Sequence, residues 1–388
     1  MSYKNNDLLI KLQKSVISGG IAAGNALVTG DRDGVLFENY EGVYDAEKND
    51  PVDKNTLFHL YSMTKDFTVI SALLLYERGL IGLDDPVYKY IPEYKYLTVR
   101  DNGVIRRAEK PVTLRHLFTM TSGLTYLYDK TPDELNGLKR ILNENKPYGA
   151  VGFAKVLASL PLAFEPGERF EYGLSHDVLG AVIETVSGIT LDKFIFENIT
   201  SPLGMSDTRF YQSVQGECLG RLAKNTAYAD GKYVNVPLLS RPVPLFDWID
   251  GSHIFSGGSG LVSSARDMAA FLSALTSGKI LKPETLALMT APALTEGQRR
   301  YYNYEGGDEA TFGYEHTYGF GVRVQDRISA ERRGSIGEWG WSGALGTWFF
   351  VSPELDQWFL YLHQHSPSEF RKYIIPLRNA FYDRSDKK

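Results

Sequence analysis

Between Asp66 and Arg78 the chain reads Asp-Phe-Thr-Val-Ile-Ser-Ala-Leu-Leu-Leu-Tyr-Glu-Arg, a helical stretch that is apolar on nearly every face. Such a helix has no face to give to solvent, so the fold must wrap around it. Gly79 follows as a C-cap signal. Directly upstream stands Ser62-Met63-Thr64-Lys65. A hydroxyl and an amine three residues apart at a helix start share one face. In the first turn of a core helix an ammonium is costly unless paired, and a lysine whose pKa falls toward neutrality can take a serine's proton. The helix N-terminus adds partial positive charge that favours a developing oxyanion. The bare spacing is cheap, since Ser385 and Lys388 repeat it in the charged tail. A structural reading, a cap plus a snorkelling lysine, competes until other residues join the pair.

At 388 residues the chain exceeds one compact core, which predicts two lobes. A formal net charge of −5 with no long basic run excludes an electrostatic footprint for nucleic acid and gives no adhesion to an anionic membrane. Met1 to Asp7 lacks the features of a secretory signal, and no apolar run reaches spanning length, so a cytoplasmic location is expected. Cys218 stands alone, which excludes an internal disulfide and fits a reducing compartment. Nothing in the sequence specifies an oligomeric state.

Leu8, Leu9, Leu12 and Val16 recur at helical spacing and predict an opening amphipathic helix. Asn25–Thr29 and Val35–Tyr40 flank Asp31-Arg32-Asp33-Gly34 as a hairpin. From about residue 85 to 250 helices, prolines and loops replace strand alternation. Strand signals return with Tyr318–Val324, Thr347–Val351 and Gln357–His363, the last two joined as a second hairpin. Ser366-Pro367-Ser368-Glu369 reads as a capping box with proline at the first helical position, opening a last helix that Pro376 should kink. The fold class is therefore α/β (α+β), an antiparallel sheet flanked by N- and C-terminal helices. Residues 1–84 and 251–388 would form the α/β lobe and 85–250 an inserted, mostly helical lobe, with a catalytic cleft between them.

Two further clusters carry chemistry. Pro166-Gly167 turns the chain toward Tyr172, Ser175 and His176, just before an apolar helix beginning near Val178. A phenol beside a lysine can shuttle a nucleophile's proton to a leaving group, although a tyrosine at a helix entry is more often packed and satisfied. Trp339-Gly340-Trp341-Ser342-Gly343-Ala344 places small residues on a strand edge, where a free N–H can complete an oxyanion hole, or where the strand simply packs tightly. Ser342 grazes the nucleophile-elbow pattern, but Ala344 stands where the elbow needs glycine and no helix follows, so Ser342 is rejected as a nucleophile. His363 and His365 share a strand face without a further ligand cluster, and no metal or other cofactor is implied.

Taken in order and spacing, these three pieces resemble the serine β-lactamase and penicillin-recognising superfamily, in its class C-like branch, which includes family VIII carboxylesterases. Leu83-Asp84-Asp85-Pro86-Val87, Thr113-Leu114-Arg115-His116-Leu117, Thr121-Ser122-Gly123-Leu124, Pro202-Leu203-Gly204-Met205 and Gly258-Ser259-Gly260-Leu261-Val262-Ser263 also match. The resemblance implies Ser62 as acylated nucleophile, Lys65 as proton acceptor, Tyr172 as relay, and the N–H groups of Ser62 and Ala344 as oxyanion hole. Trp341-Ser342-Gly343 stands where β-lactamases of this branch usually carry Lys-Thr-Gly, which removes the cation that pairs with a β-lactam carboxylate. Leu174 replaces the usual asparagine two residues after the tyrosine, with Ser175 as partial compensation and His176 close enough to line the site.

Both departures favour uncharged acyl esters, hence a serine hydrolase of small or medium acyl esters acting on a small-molecule substrate. Transfer of the acyl group to an alcohol or amine is the alternative, followed by a β-lactamase or D-aminopeptidase. A binding module that keeps the fold without turnover would need none of Ser62, Lys65 and Tyr172.

Overall fold

The computed structural model describes residues 6–126, 149–238, 254–305, 315–328 and 334–384, together with Thr131, Asp133 and Asn136. The opening helix α1 spans Asn6–Ser18. Strands β1 (Gly24–Asp31) and β2 (Gly34–Asp45) follow as the expected hairpin, and β3 (Asp50–Pro51) extends it. The C-terminal half supplies β11 (His316–Tyr318), β12 (Arg323–Gln325), β13 (Trp339–Ser342), β14 (Trp348–Ser352) and β15 (Gln357–Leu362), numbered after the strands β4–β10 given below. Together they form an eight-stranded antiparallel sheet ordered β11-β12-β13-β14-β15-β1-β2-β3.

Alternation along these strands makes two cores, as a period of two requires. Trp348, Phe350, Phe359 and Tyr361 face α1 and the last helix, meeting Leu9, Val16, Ile374, Leu377 and Phe381. Phe349, Val351, Trp358 and Leu360 face the other way, into a core shared with the apolar helix after Ser62. That helix is α2 (Thr64–Glu77), buried continuously from Thr64 to Leu75 as its composition demands. Helices Gly149–Leu157 (α3), Ser175–Ser187 (α4) and Ala265–Thr276 (α5) contribute to this second core. Phe67 of α2 stacks on Phe271 of α5 at 4.3 Å between ring centroids.

Three readings need correction. Residues 85–250 are not free of strand pairing: β5 (Thr98–Asp101) pairs with β6 (Val104–Arg107), and β8 (Thr226–Ala229) with β9 (Lys232–Asn235). Their turns carry Asn102-Gly103 and Asp230-Gly231, all four residues at positive φ, so a strong hairpin signal was present in a region dominated by prolines. Tyr318–Val324 is not one strand but the turn of the β11–β12 hairpin, bent through Gly321 at φ 78°. The last helix, α6, starts at Phe370 rather than at Pro367 and runs through Pro376 to Arg384.

A small three-stranded sheet joins distant segments: β4 (Leu57–His59), β10 (Leu261–Ser264) and β7 (Arg209–Phe210), in the order β4-β10-β7. It delivers residue 60 to the start of the nucleophile segment, where the Leu60 N–H donates to the Leu261 carbonyl at 2.9 Å. No helix among the described residues is long and apolar enough to cross a membrane.

Candidate active site

Ser62 lies in a 3-10 turn, Tyr61–Met63, immediately ahead of α2. Its bonds run from the Met63 N–H to the Leu60 carbonyl and from the Thr64 N–H to the Tyr61 and Ser62 carbonyls, which leaves the Ser62 N–H outside the ladder. Tyr61 takes φ 47°, a left-handed conformation that a bulky residue rarely adopts. One turn further, Lys65 is wholly buried. Its Nζ lies 3.3 Å from Ser62 Oγ, 3.0 Å from Tyr126 Oη and 2.7 Å from the Gly258 carbonyl oxygen. Those acceptors match the three donors of an ammonium.

Tyr172, half-buried, sets its ring 4.7 Å from Lys65 Nζ and meets Tyr126 edge-on at 5.6 Å. Its hydroxyl accepts the indole N–H of Trp341 at 3.2 Å. Trp341 is itself held between Tyr172 and Tyr318, at 5.5 and 5.2 Å between ring centroids. Burial makes the Lys65 ammonium harder to keep, but Tyr126 and Tyr172 favour it by more, and the net pKa is raised. Burial also raises the pKa of the Tyr126 phenol, against the pull of Lys65. The surroundings thus favour a proton on Lys65, beside the rings of Tyr126 and Tyr172.

The end of β13 closes the opposite wall. Gly343 comes so near the turn before Ser62 that a Cβ there would sit 2.2 Å from the Leu60 carbonyl oxygen, so only glycine permits the approach. Thr347 Oγ1 donates to that same carbonyl at 3.2 Å. The Gly343 N–H donates to the Thr347 carbonyl and the Gly346 N–H to the Gly343 carbonyl. Among the described residues no backbone bond takes up the N–H of Ala344, which stands in the turn between these two. Ser342 is half-buried beside it.

Ser175 and His176 do not line the cleft. Both are wholly buried behind Tyr172, on the inward face of the α4 start. Ser175 Oγ is 2.8 Å from Ser122 Oγ, a bond that explains the serine without substrate. Burial and the nearby Lys65 charge push the His176 imidazole down to about 3, so it is neutral. Leu174 is buried as well. His363 packs on Tyr361 and Tyr373, and His365 bonds Thr226 at 3.0 Å. Among the described residues no three His, Cys, Asp or Glu side chains are grouped to hold a metal ion.

Sequence reasoning missed two groups. Tyr126 stands two residues after the Thr121–Leu124 motif, yet only the folded path brings its phenol to Lys65. Gly258 was visible as part of a glycine-rich signature, while its carbonyl's part in holding Lys65 was not.

A buried lysine bonded to a serine at the head of an apolar helix, faced by a tyrosine and the end of an antiparallel strand, defines a serine hydrolase of the β-lactamase/transpeptidase fold. The β-lactamase family model matches residues 11–381, and the chain belongs to that family. It is 30% identical to esterase EstB of Burkholderia gladioli over 83% of this chain and 80% of that protein. The structure of EstCE1, a hydrolase with promiscuous acyltransferase activity, matches with a TM-score of 0.81 at 26% identity, covering 97% of this chain and 98% of the other. Simvastatin synthase LovD from Aspergillus terreus matches with a TM-score of 0.83 at 25% identity, over 98% and 99% of the two chains.

Proposed function

We propose that the protein is a carboxylesterase that cleaves small or medium uncharged acyl esters through an acyl-enzyme on Ser62. The observation that carries this reading is the Trp341–Tyr172 bond at 3.2 Å. A neutral indole donor orients the phenol where the related β-lactamases carry a lysine, so Trp341 offers no charge to a substrate carboxylate. Relatedness to EstB and EstCE1 supports the same reaction class.

In this mechanism Ser62 Oγ attacks the ester carbonyl carbon and its proton passes to the Lys65–Tyr172 pair. The form that reacts holds a single proton between them, as ammonium with phenolate or as amine with phenol, and so has room for the serine's proton. The oxyanion develops between the N–H groups of Ser62 and Ala344, neither of which is taken by backbone among the described residues. Collapse of the tetrahedral intermediate breaks the bond to the leaving alkoxide, which takes a proton from Tyr172. Water then attacks the acyl-serine, gives its proton to the same pair, and releases the acid and free Ser62. Acyl transfer is the second reading, favoured by the likeness to LovD and to EstCE1. There an alcohol replaces water in the second half. The single cysteine, Cys218, is consistent with action in a reducing cytoplasm.

The test is p-nitrophenyl butyrate mixed with wild type and Ser62→Ala, followed by intact mass at short times. A butyryl increment on wild type alone, with p-nitrophenol release, is the expected result. Equal hydrolysis by Ser62→Ala would overturn the assignment of Ser62. Efficient nitrocefin turnover would move the protein to the β-lactamases, and faster deacylation with added alcohol would favour the transferase.

A further inference from the structure

The shortest of the Lys65 bonds ends on a loop far away in sequence, Ser256-Gly257-Gly258-Ser259-Gly260. That loop is fixed from behind. Ser256 is buried, and its hydroxyl uses its whole bonding capacity: it donates to Asp177 Oδ1 and accepts the N–H groups of Gly258 and Ser259, each at 3.1 Å. Asp177 is buried in the first turn of α4. On the other side Thr68 Oγ1 of α2 donates to the Gly257 carbonyl at 2.8 Å.

No room is left for the loop to slide. A Cβ at Gly257 would fall 2.0 Å from the His176 carbonyl oxygen. One at Gly258 would fall 2.7 Å from Asp177 Oδ2 and 3.4 Å from Lys65 Nζ. The loop is thus wedged between the first turn of α4 and the first turns of α2, with one carbonyl aimed at the ammonium. The ammonium's other acceptors, Ser62 and Tyr126, are a rotatable hydroxyl and a phenol, so among the described residues the Gly258 carbonyl is its backbone anchor.

We propose that Asp177 and Ser256 are positioning residues: they lock the loop so that the Gly258 carbonyl holds Lys65 alongside Ser62. The proposal rests on the esterase reading for its kinetic consequence but not for its geometric one. Without the Ser256 hydroxyl, the N–H groups of Gly258 and Ser259 lose their acceptor, the carbonyl swings, and the amine leaves its place. A misplacement of about 1 Å at a reacting group costs on the order of 10²-fold in rate.

Two measurements test it. In a crystal structure of Ser256→Ala, Lys65 Nζ should lie beyond hydrogen-bond reach of Ser62 Oγ or of Gly258; an unmoved Lys65 overturns the proposal whatever the enzyme hydrolyses. In single-turnover acylation by p-nitrophenyl butyrate, normalised to titrated sites, Ser256→Ala should lose about 10²-fold in rate with KM nearly unchanged. Ser256→Thr, which restores the hydroxyl, should recover most of it. A purely structural defect would instead lower the titre of active sites and leave the rate per site intact, which also overturns the idea. Should Ser256→Ala fail to fold, Asp177→Leu carries the same expectation, with Asp177→Asn, which retains an acceptor, losing less. Wild type that forms no adduct sinks the esterase reading and leaves the crystallographic arm to decide this one.

Discussion

Two buried charged clusters stand at opposite ends of β13, and they follow opposite rules. Glu338, just before the strand, receives Arg323 Nη1 at 3.0 Å, Arg378 Nε at 2.9 Å and the Tyr382 hydroxyl at 2.7 Å. Burial alone would raise its pKa, but the two guanidiniums and the phenol bring it below the usual carboxylate range. It is a carboxylate engaged by charged and neutral donors on both oxygens, tying β12, β13 and α6 together. Beyond the other end, Lys65 bonds neutral oxygens, while the adjoining Asp66 is buried with no hydrogen-bond partner for either carboxyl oxygen among the described residues. Burial drives the Asp66 pKa well above the carboxylate range despite the opposing pull of Lys65. Compensated charge makes a brace, whereas under-compensated charge leaves protons free to move, which is what acyl transfer needs.

Four substitutions break or sharpen this contrast. Lys65→Met should cut acylation by about 10³- to 10⁴-fold while the melting temperature holds or rises, because the rate depends on the amine and the fold does not. A burst assay beside a thermal melt separates the two. Glu338→Gln should do the reverse, costing about 3–5 kcal/mol in urea unfolding because two buried guanidiniums lose their counter-charge. Since the folded Glu338 pKa is depressed, its contribution is present above the unfolded value of about 4.3 and fades as pH falls. The variant should therefore lose part of the wild-type acid dependence of stability.

Tyr126→Phe should move the acidic limb of the kcat/KM profile to lower pH, since Lys65 loses a group that favours its ammonium. A limb that stays in place would remove Tyr126 from the proton account. Asp66→Leu is the smallest effect, a gain of about 1 kcal/mol at neutral pH from deleting a buried partnerless acid. A raised folded pKa makes Asp66 least harmful below the unfolded value of about 3.9 and increasingly costly as pH rises. The gain should shrink toward nothing on acidification, and a pH-independent gain would show that Asp66 is not the cause.

Much of this was readable in the residues. The apolar run after Ser62 demanded burial, and α2 is buried from Thr64 to Leu75. Turn signals placed β1 and β2, and aromatic and β-branched runs placed β14 and β15, because both leave a direct mark on sequence. The order of Ser62, Lys65, Tyr172 and Trp341 pointed to one cleft, and the fold gathers those four side chains around Lys65 and Tyr172. What failed were contacts made between segments remote in the chain. Tyr126 reaches Lys65 across 61 positions and Gly258 across 193, and no local pattern encodes either. Ser175 and His176 were misplaced for a related reason: a polar residue at a helix start gives no sign of which way the helix faces.

The strand order also governs how the molecule is made. β1, complete by Asp31, lies between β2 and β15, which ends at Leu362. At a ribosomal pace of about 5–20 residues per second, roughly 15–70 s pass before that partner is synthesised. Throughout that interval one edge of β1 stands open as a template for stray pairing. A nascent or prematurely terminated chain can hold Ser62 and Lys65 yet have no Trp341 wall to face them. Competence therefore arrives only after Trp341 and β15 have been made, and the open edge of β1 is the place where a chaperone has the most to protect.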